Sequence, residues 1–530
     1  MARLLHDVLY SIAESYTLED LRAITSAGWP VALANLSTYA FSILDLVVIG
    51  HVLGPDSLAA ACLCLVVVNL ALESSCFIMH NAMTSLCAYA FAAQNSALLF
   101  WHVRAGTLFS VVLSLPIAAL VLATPSLLAE QFALPEYVVA GVRAYAPSLA
   151  FVVTPSLLLS ALQGLLRARG QQRSTALLSW LALLPNALFA SQLVPAYGLR
   201  GSAYATAATR VVCLLLLGIR HRTALLQPAA HARSIAGGGS SGSGSGGGGL
   251  RAPLLYIGKD YAHSLLPVTL RIGVAQLVTL IAVVPSVSAA GAHACIQAAC
   301  FALTSLLLQA ALSVCMGVQQ ATMMLVTRHV SLGRHQQARD AMRLAGVLLL
   351  TLSALFGAPY YAARQHLGSL LIGSYADGAS AADGGEGERD DAGADLAIGV
   401  RALAAYVAPV LLLKTASGLY GLFFAVTGRG AIGTCILLLA HGCVGLPVAW
   451  VWASAQGGSA EALMQAHTAA WLLATVAFGG CYVCLPTSVP PPSAPPPDPE
   501  AASPRSSGGG GAAVPSPLAR PLLDRGRPAA

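Results

Sequence analysis

The chain has 530 residues, 56% hydrophobic and only 9% charged, whereas soluble domains carry roughly 25% charged residues. This much apolar surface exceeds what one or two soluble cores can cover, and inside a bilayer only helices or closed barrels satisfy their own backbone. Apolar blocks of about 20 residues, the length of a crossing helix, exclude barrel strands of about ten. The formal net charge of +6 sits in loops beside those blocks, which fits membrane topology rather than nucleic-acid binding.

In chain order, Met1 to Asp20 mixes Arg3 with Asp7, Glu14, Glu19 and Asp20, and Leu5, Val8, Leu9 and Ile12 fall at helical spacing. Residues 1–26 therefore read as an amphipathic segment lying on the membrane surface, not as a cleaved leader. Apolar blocks follow near 27–50, 58–82, 105–124, 143–164, 174–194 and 201–219. They define a first lobe of six spans over 27–220. Residues 221–262 contain the run Gly237–Gly249, almost pure Gly and Ser, which reads as a flexible linker. A second lobe over 263–486 has blocks near 264–286, 291–314, 344–362, 398–425, 431–453 and 463–486. Within it the acidic, apolar-poor stretch near 376–395 reads as a disordered outer loop. The Pro-, Ser- and Gly-rich residues 487–530 read as a disordered tail. The expected fold is all-α and polytopic, with about 12 transmembrane helices in two pseudo-symmetric six-helix lobes.

With an even number of spans both termini share a side. Roughly 20 of the 28 Lys and Arg fall on that side, among them Arg104, Arg167, Arg169, Arg173, Arg334, Arg339 and Arg343. Both termini are thus expected in the cytoplasm. The lobes echo each other: ALLFWHVRAG at Ala97–Gly106 against QARDAMRLAG at Gln337–Gly346, and LRARG at Leu166–Gly170 against VTGRG at Val426–Gly430. Six spans per lobe make these repeats parallel, a transporter architecture with a solute site between the halves.

Charges inside a lipid span cost several kcal/mol, so each needs a partner or a use. Five lie there: Asp45, Glu73, Arg210, Arg271 and Lys414. Asp45 reads either as the structural partner of Arg210 or as a carboxylate exchanging a proton for a substrate or cation. Glu73 serves as a second carboxylate of that site, pairs with Arg271 or Lys414 to close the cytoplasmic side, or faces a polar crevice without a task. For Arg271 the alternatives are helix positioning and contact with an anionic solute; Lys414 can snorkel to the interface. Pro30 lacks the N–H of a regular helix and is the expected hinge. The twelve Cys sit in apolar blocks as small hydrophobes, with no zinc spacing. No G-x-x-x-x-G-K-[ST] loop is present, so ATP is not the direct energy source and soluble enzyme chemistry has no support.

The stretch Pro30–Ala60, PVALANLSTYAFSILDLVVIGHVLGPDSLAA, resembles the first helix of multidrug and toxic compound extrusion (MATE) transporters. So do Gln163–Gly170 (QGLLRARG) and Gly198–Thr206 (GLRGSAYAT), while Leu270-Arg271 and Ala292-His293 are similar to elements of the DinF-like branch of that family. The resemblance runs over roughly 20–485, by order and spacing. It implies a carboxylate at Asp45 on the coupling path and a fifth-helix element N-x-x-x-D-P. That element keeps Asn186 but has Ala190 and Ser191 where the Asp and Pro stand, and the tenth-helix F-D-G reads Leu419-Tyr420-Gly421.

The expected function is secondary antiport: export of a small organic solute, an organic acid or an organic cation or drug, in exchange for H+ or Na+ by alternating access. The coupling residues are Asp45, Glu73, Asn186, Arg210 and Arg271. The alternatives are a lipid-linked-substrate flippase of the same superfamily and a receptor or scaffold with a degenerate transporter fold. No cofactor, no metal and no nucleic acid are expected; the bilayer and the solute are the partners, and the chain is read as a monomer. Plasma, vacuolar and plastid membranes remain equal options.

Overall fold

The computed structural model describes residues 18–92, 96–132, 136–220, 292–331, 334–372, 390–426, 430–455 and 459–484. Every element among them is helical. The first lobe comprises α1 (Leu18–Leu53), α2 (Pro55–Val68), a π-helical turn (Asn69–Glu73), α3 (Ser74–Ala92), α4 (Ser96–Phe132), α5 (Glu136–Ala168), α6 (Gln172–Leu181), α7 (Leu183–Tyr197) and α8 (Leu199–Arg220). The second comprises α9 (Ala292–Ser331), α10 (His335–Ile372), α11 (Asp390–Val426), α12 (Gly430–Leu437), a second π-helical stretch (Leu438–Gly445), α13 (Leu446–Ala455) and α14 (Ala460–Cys484). Ten stretches, from 22 to 34 residues, are long and apolar enough to cross a bilayer. The α2–π–α3 rod, Pro55–Ala92, adds the remaining first-lobe span. The expected span at 264–286, Arg271 with it, lies outside the described residues, as do 1–17, the Gly/Ser linker and the tail. Large apolar side chains point outward, Leu115 at 67% and Leu184 at 67% exposure, as a lipid-facing surface requires.

Local sequence explains where the rods break. Gly54, at φ 84°, and Pro55 turn the chain between α1 and α2: glycine takes the left-handed angle and proline supplies a preset first helical residue. The fifth span is one block in the sequence but two helices in the structure, divided at Ala182. Pro185 has no N–H to offer the carbonyl of Leu181, so the ladder is interrupted there. The second span, expected at 58–82, runs from Pro55 to Ala92 with a π turn at Asn69–Glu73. Helix α1 runs without interruption from Leu18 through residues 26 and 27 into the first span.

The lobes meet mainly along α1 and α9. A Cβ added at Gly317 would lie 2.6 Å from the Gly28 carbonyl oxygen and 2.6 Å from the Ala32 Cβ, so only glycine allows this backbone approach. Further along the seam, His329 Nε2 and Asp20 Oδ1 are 4.0 Å apart. At the opposite end Cys62 of α2 and Cys300 of α9 are buried at 2% and 0% exposure in one core shared by both lobes.

Candidate functional site

A cavity of about 180 Å³ lies among α1, the α2–π–α3 rod, α5, α6, α8 and α9. Pro30, Asp45, Glu73 and Arg210 all line it. Asp45 is 6% exposed. Its Oδ1 accepts a hydrogen bond of 2.8 Å from Asn186 Nδ2, and its Oδ2 one of 2.5 Å from Thr206 Oγ1. Thr209 donates to Asn186 Oδ1 at 3.2 Å, which fixes the amide so that its NH2 faces the carboxylate. Asn186 is 0% exposed and reaches Asp45 because the break at Ala182 re-aims α7. Thr206, Thr209 and Arg210 share one face of α8 by their spacing of three and four residues.

Glu73 is the last residue of the π turn, the kind of helix defect that concentrates at functional sites. Its carboxylate accepts a hydrogen bond from the Tyr39 hydroxyl. Arg210 acts electrostatically on both Asp45 and Glu73. The direct Asp45–Arg210 ion pair offered by the sequence is not formed among the described residues: the guanidinium instead stacks on Phe41 at 5.0 Å. Its Nε is buried without a hydrogen-bond partner. The site therefore sets two carboxylates near Arg210, held apart by a ring and by neutral donors, with Arg167 lining the same cavity.

Two further groups brace this cavity, one of them to the second lobe. Arg167, 8% exposed, donates from an Nη to Gln320 Oε1 of α9 at 2.8 Å. Trp180 of α6 donates to the Leu33 carbonyl at 2.9 Å, which ties the broken fifth span to α1 one turn past Pro30. The pairing of Glu73 with Lys414 is not found. Lys414 lies over the Trp471 ring of α14 at 5.4 Å. Sequence spacing alone missed Tyr39, Thr206, Thr209 and Gln320, because a hydroxyl or amide in an apolar block carries no cost that marks it out. Among the described residues no three His, Cys, Asp or Glu gather as metal ligands.

A cavity of this size is below the roughly 300–1,000 Å³ of sites for drug-sized ligands. It holds an ion or a few waters as it stands. These features define a polytopic all-α membrane protein whose two helical bundles enclose a small, charged, hydrogen-bonded chamber. Residues 30–191 match the MatE family model, and the fold is similar to those of solved MATE transporters. An inward-facing multidrug resistance MATE family transporter of the MOP superfamily superposes with a TM-score of 0.65 at 16% identity, covering 85% of this chain and 97% of that one. The eukaryotic MATE transporter AtDTX14 gives 0.62 at 17% identity, with 89% and 97% covered. A MOP superfamily transporter from Pyrococcus furiosus, described as having a binding pocket of reversed polarity, gives 0.64 at 16% identity, with 87% and 95% covered. No curated protein sequence matches this chain.

Proposed function

We propose that the protein is a secondary active antiporter, not an enzyme, exporting a small organic solute in exchange for H+, with Na+ the competing ion, by alternating access of its two lobes. The observation that carries this reading is Asp45, a carboxylate buried at 6% exposure with donors from α7 and α8 on its two oxygens. Glu73 shares its chamber and Arg210 acts on both. Carboxylates buried in low dielectric are costly to keep charged, and a proton or cation from the aqueous phase offsets that cost. Loading and unloading that charge changes how strongly α1 is held to α7 and α8. Pro30, on the same chamber and without an N–H, is the place where α1 can bend in response. The Lys and Arg distribution supports cytoplasmic termini, and with them export from the side bearing Arg167 and Arg169.

The test is flux in proteoliposomes under an imposed pH gradient, with labelled citrate and labelled tetraethylammonium, beside the same measurement under a Na+ gradient. Gradient-driven uptake of either solute that Asp45→Asn abolishes is the expected result. Uptake that survives Asp45→Asn unchanged removes Asp45 from the coupling path, and uptake driven by Na+ alone replaces H+ as the ion.

A further inference from the structure

The second lobe carries a charge that no acid among its described residues balances. Between Tyr261 and Cys484 the only acids are Asp340, those of the segment Asp377–Asp395, and Glu461. Asp340 pairs with Arg343 at 3.6 Å, and Glu461 accepts from Tyr406 at 2.8 Å. Glu461 precedes Trp471 by ten residues of one helix, about 15 Å of rise. Asp395 and Lys414 are nineteen residues apart on α11, about 28 Å. The first-lobe acids that line the cavity, Asp45 and Glu73, are already engaged with Arg210 and neutral donors. Among the described residues Lys414, half-buried and in mid-helix, therefore has no carboxylate of its own.

Around it stands a cluster from three spans. Lys414 Nζ lies over the Trp471 ring at 5.4 Å, and the His441 and Trp471 rings meet edge-on at 4.5 Å. The His441 and His467 rings are 6.3 Å apart, and Phe301 of α9 closes the group against His467. His441 is in the π-helical stretch Leu438–Gly445 and is 0% exposed. Its Nδ1–H donates to the Leu437 carbonyl at 3.2 Å, since a carbonyl can only accept. The other ring nitrogen, Nε2, is buried with no hydrogen-bond partner. Trp471 Nε1–H is spent on His467 Nε2 at 3.1 Å. An unbalanced ammonium beside an unpartnered imidazole nitrogen is satisfied by one kind of ligand: an anion that arrives with a proton.

We propose that Lys414 and His441, framed by Trp471 and His467, form a second-lobe site for a small organic anion, a carboxylate, bound together with one proton. The proton comes from the aqueous phase onto His441 Nε2, whose N–H then donates to one carboxylate oxygen while the Lys414 ammonium neutralises the charge. Affinity for the carboxylate therefore rises as pH falls. The charged and titratable groups facing His441 are Lys414 from α11 and His467 from α14; α9 presents the uncharged Phe301. The proposal deepens the antiport reading and rests on it for the carboxylate being the transported solute, since binding alone requires no gradient.

The experiment is equilibrium binding of radiolabelled benzoate and citrate to the full chain in lipid nanodiscs at roughly pH 6 and pH 8, two settings that bracket imidazole titration. Saturable carboxylate binding is expected, weaker by about tenfold at the higher pH, with tetraethylammonium failing to compete at this site. Lys414→Met is expected to weaken it by about 10–100-fold, the worth of a charge-assisted contact, and Lys414→Arg to retain it. His441→Gln, which cannot take the proton, is expected to bind equally at both pH values, a result independent of how well Lys414→Met folds. Absence of saturable binding to the parent overturns the site, as does binding that Lys414→Met and His441→Gln leave unchanged. Carboxylate binding without gradient-driven flux overturns the antiport alone; flux of tetraethylammonium without carboxylate binding overturns this site alone.

Discussion

Replacing Arg210 with Met removes the cation that acts on both Asp45 and Glu73. At an effective dielectric of about 20, each attraction is worth at most about 4 kcal/mol, the value for charges about 4 Å apart. The stacked Phe41 ring, at 5.0 Å, adds about 1 kcal/mol. Against this stands the desolvation of the guanidinium, several kcal/mol, which the variant no longer bears. The net expected loss is about 2–4 kcal/mol, because both carboxylates lose the cation they share. Adding Glu73→Gln to Arg210→Met removes one of those charges and should return about 1–3 kcal/mol. The assay is reversible unfolding by SDS in mixed micelles, for the parent, both single variants and the double variant. Stability effects that add within about 0.5 kcal/mol would show that Arg210 and Glu73 do not sense each other and would refute the shared-charge site.

Two other outcomes follow from contacts elsewhere. Gly317→Val pushes a Cβ to within 2.6 Å of the Gly28 oxygen and the Ala32 Cβ, so the α1–α9 seam must open and stability should fall by about 1–3 kcal/mol in thermal unfolding. Gly479→Ala, where nothing lies within 4 Å, is the control that should leave it unchanged; equal effects of the two would dismiss the tight seam. Asn186→Leu deprives Asp45 of its 2.8 Å donor and Thr209 of its acceptor, so gradient-driven flux should drop by at least about tenfold. Parent-like flux in this variant would mean that the amide does not position the carboxylate.

The rods were legible because each crossing needs about 20 apolar residues, and twelve such blocks stand apart in the chain. Asp45, Glu73 and Arg210 were legible for the same reason inverted: a charge in lipid is costly enough to be noticed. What surrounds them was not. Asn186 was flagged only by its place in a family-like element, while Thr206 and Tyr39 look like ordinary residues of apolar helices until folding brings them to the carboxylates. Helix breaks were hidden in a similar way. Pro185 sits near the middle of an unbroken apolar run, and the run conceals that α7 turns its Asn186 inward. The π turn ending at Glu73 has no residue pattern that distinguishes it from regular helix, since it differs only in which carbonyl each N–H chooses.

The glycine seam between α1 and α9 has a bearing on speed. Interlocked side chains must unlatch and change rotamer before two helices can separate, and that sets an activation barrier. Where Gly28 faces Gly317 and Ala32, the surfaces in contact are smooth main chain and methyl. Such faces glide and rock without any rotamer to reorder, so this stretch of the seam works as a dry bearing between the two bundles.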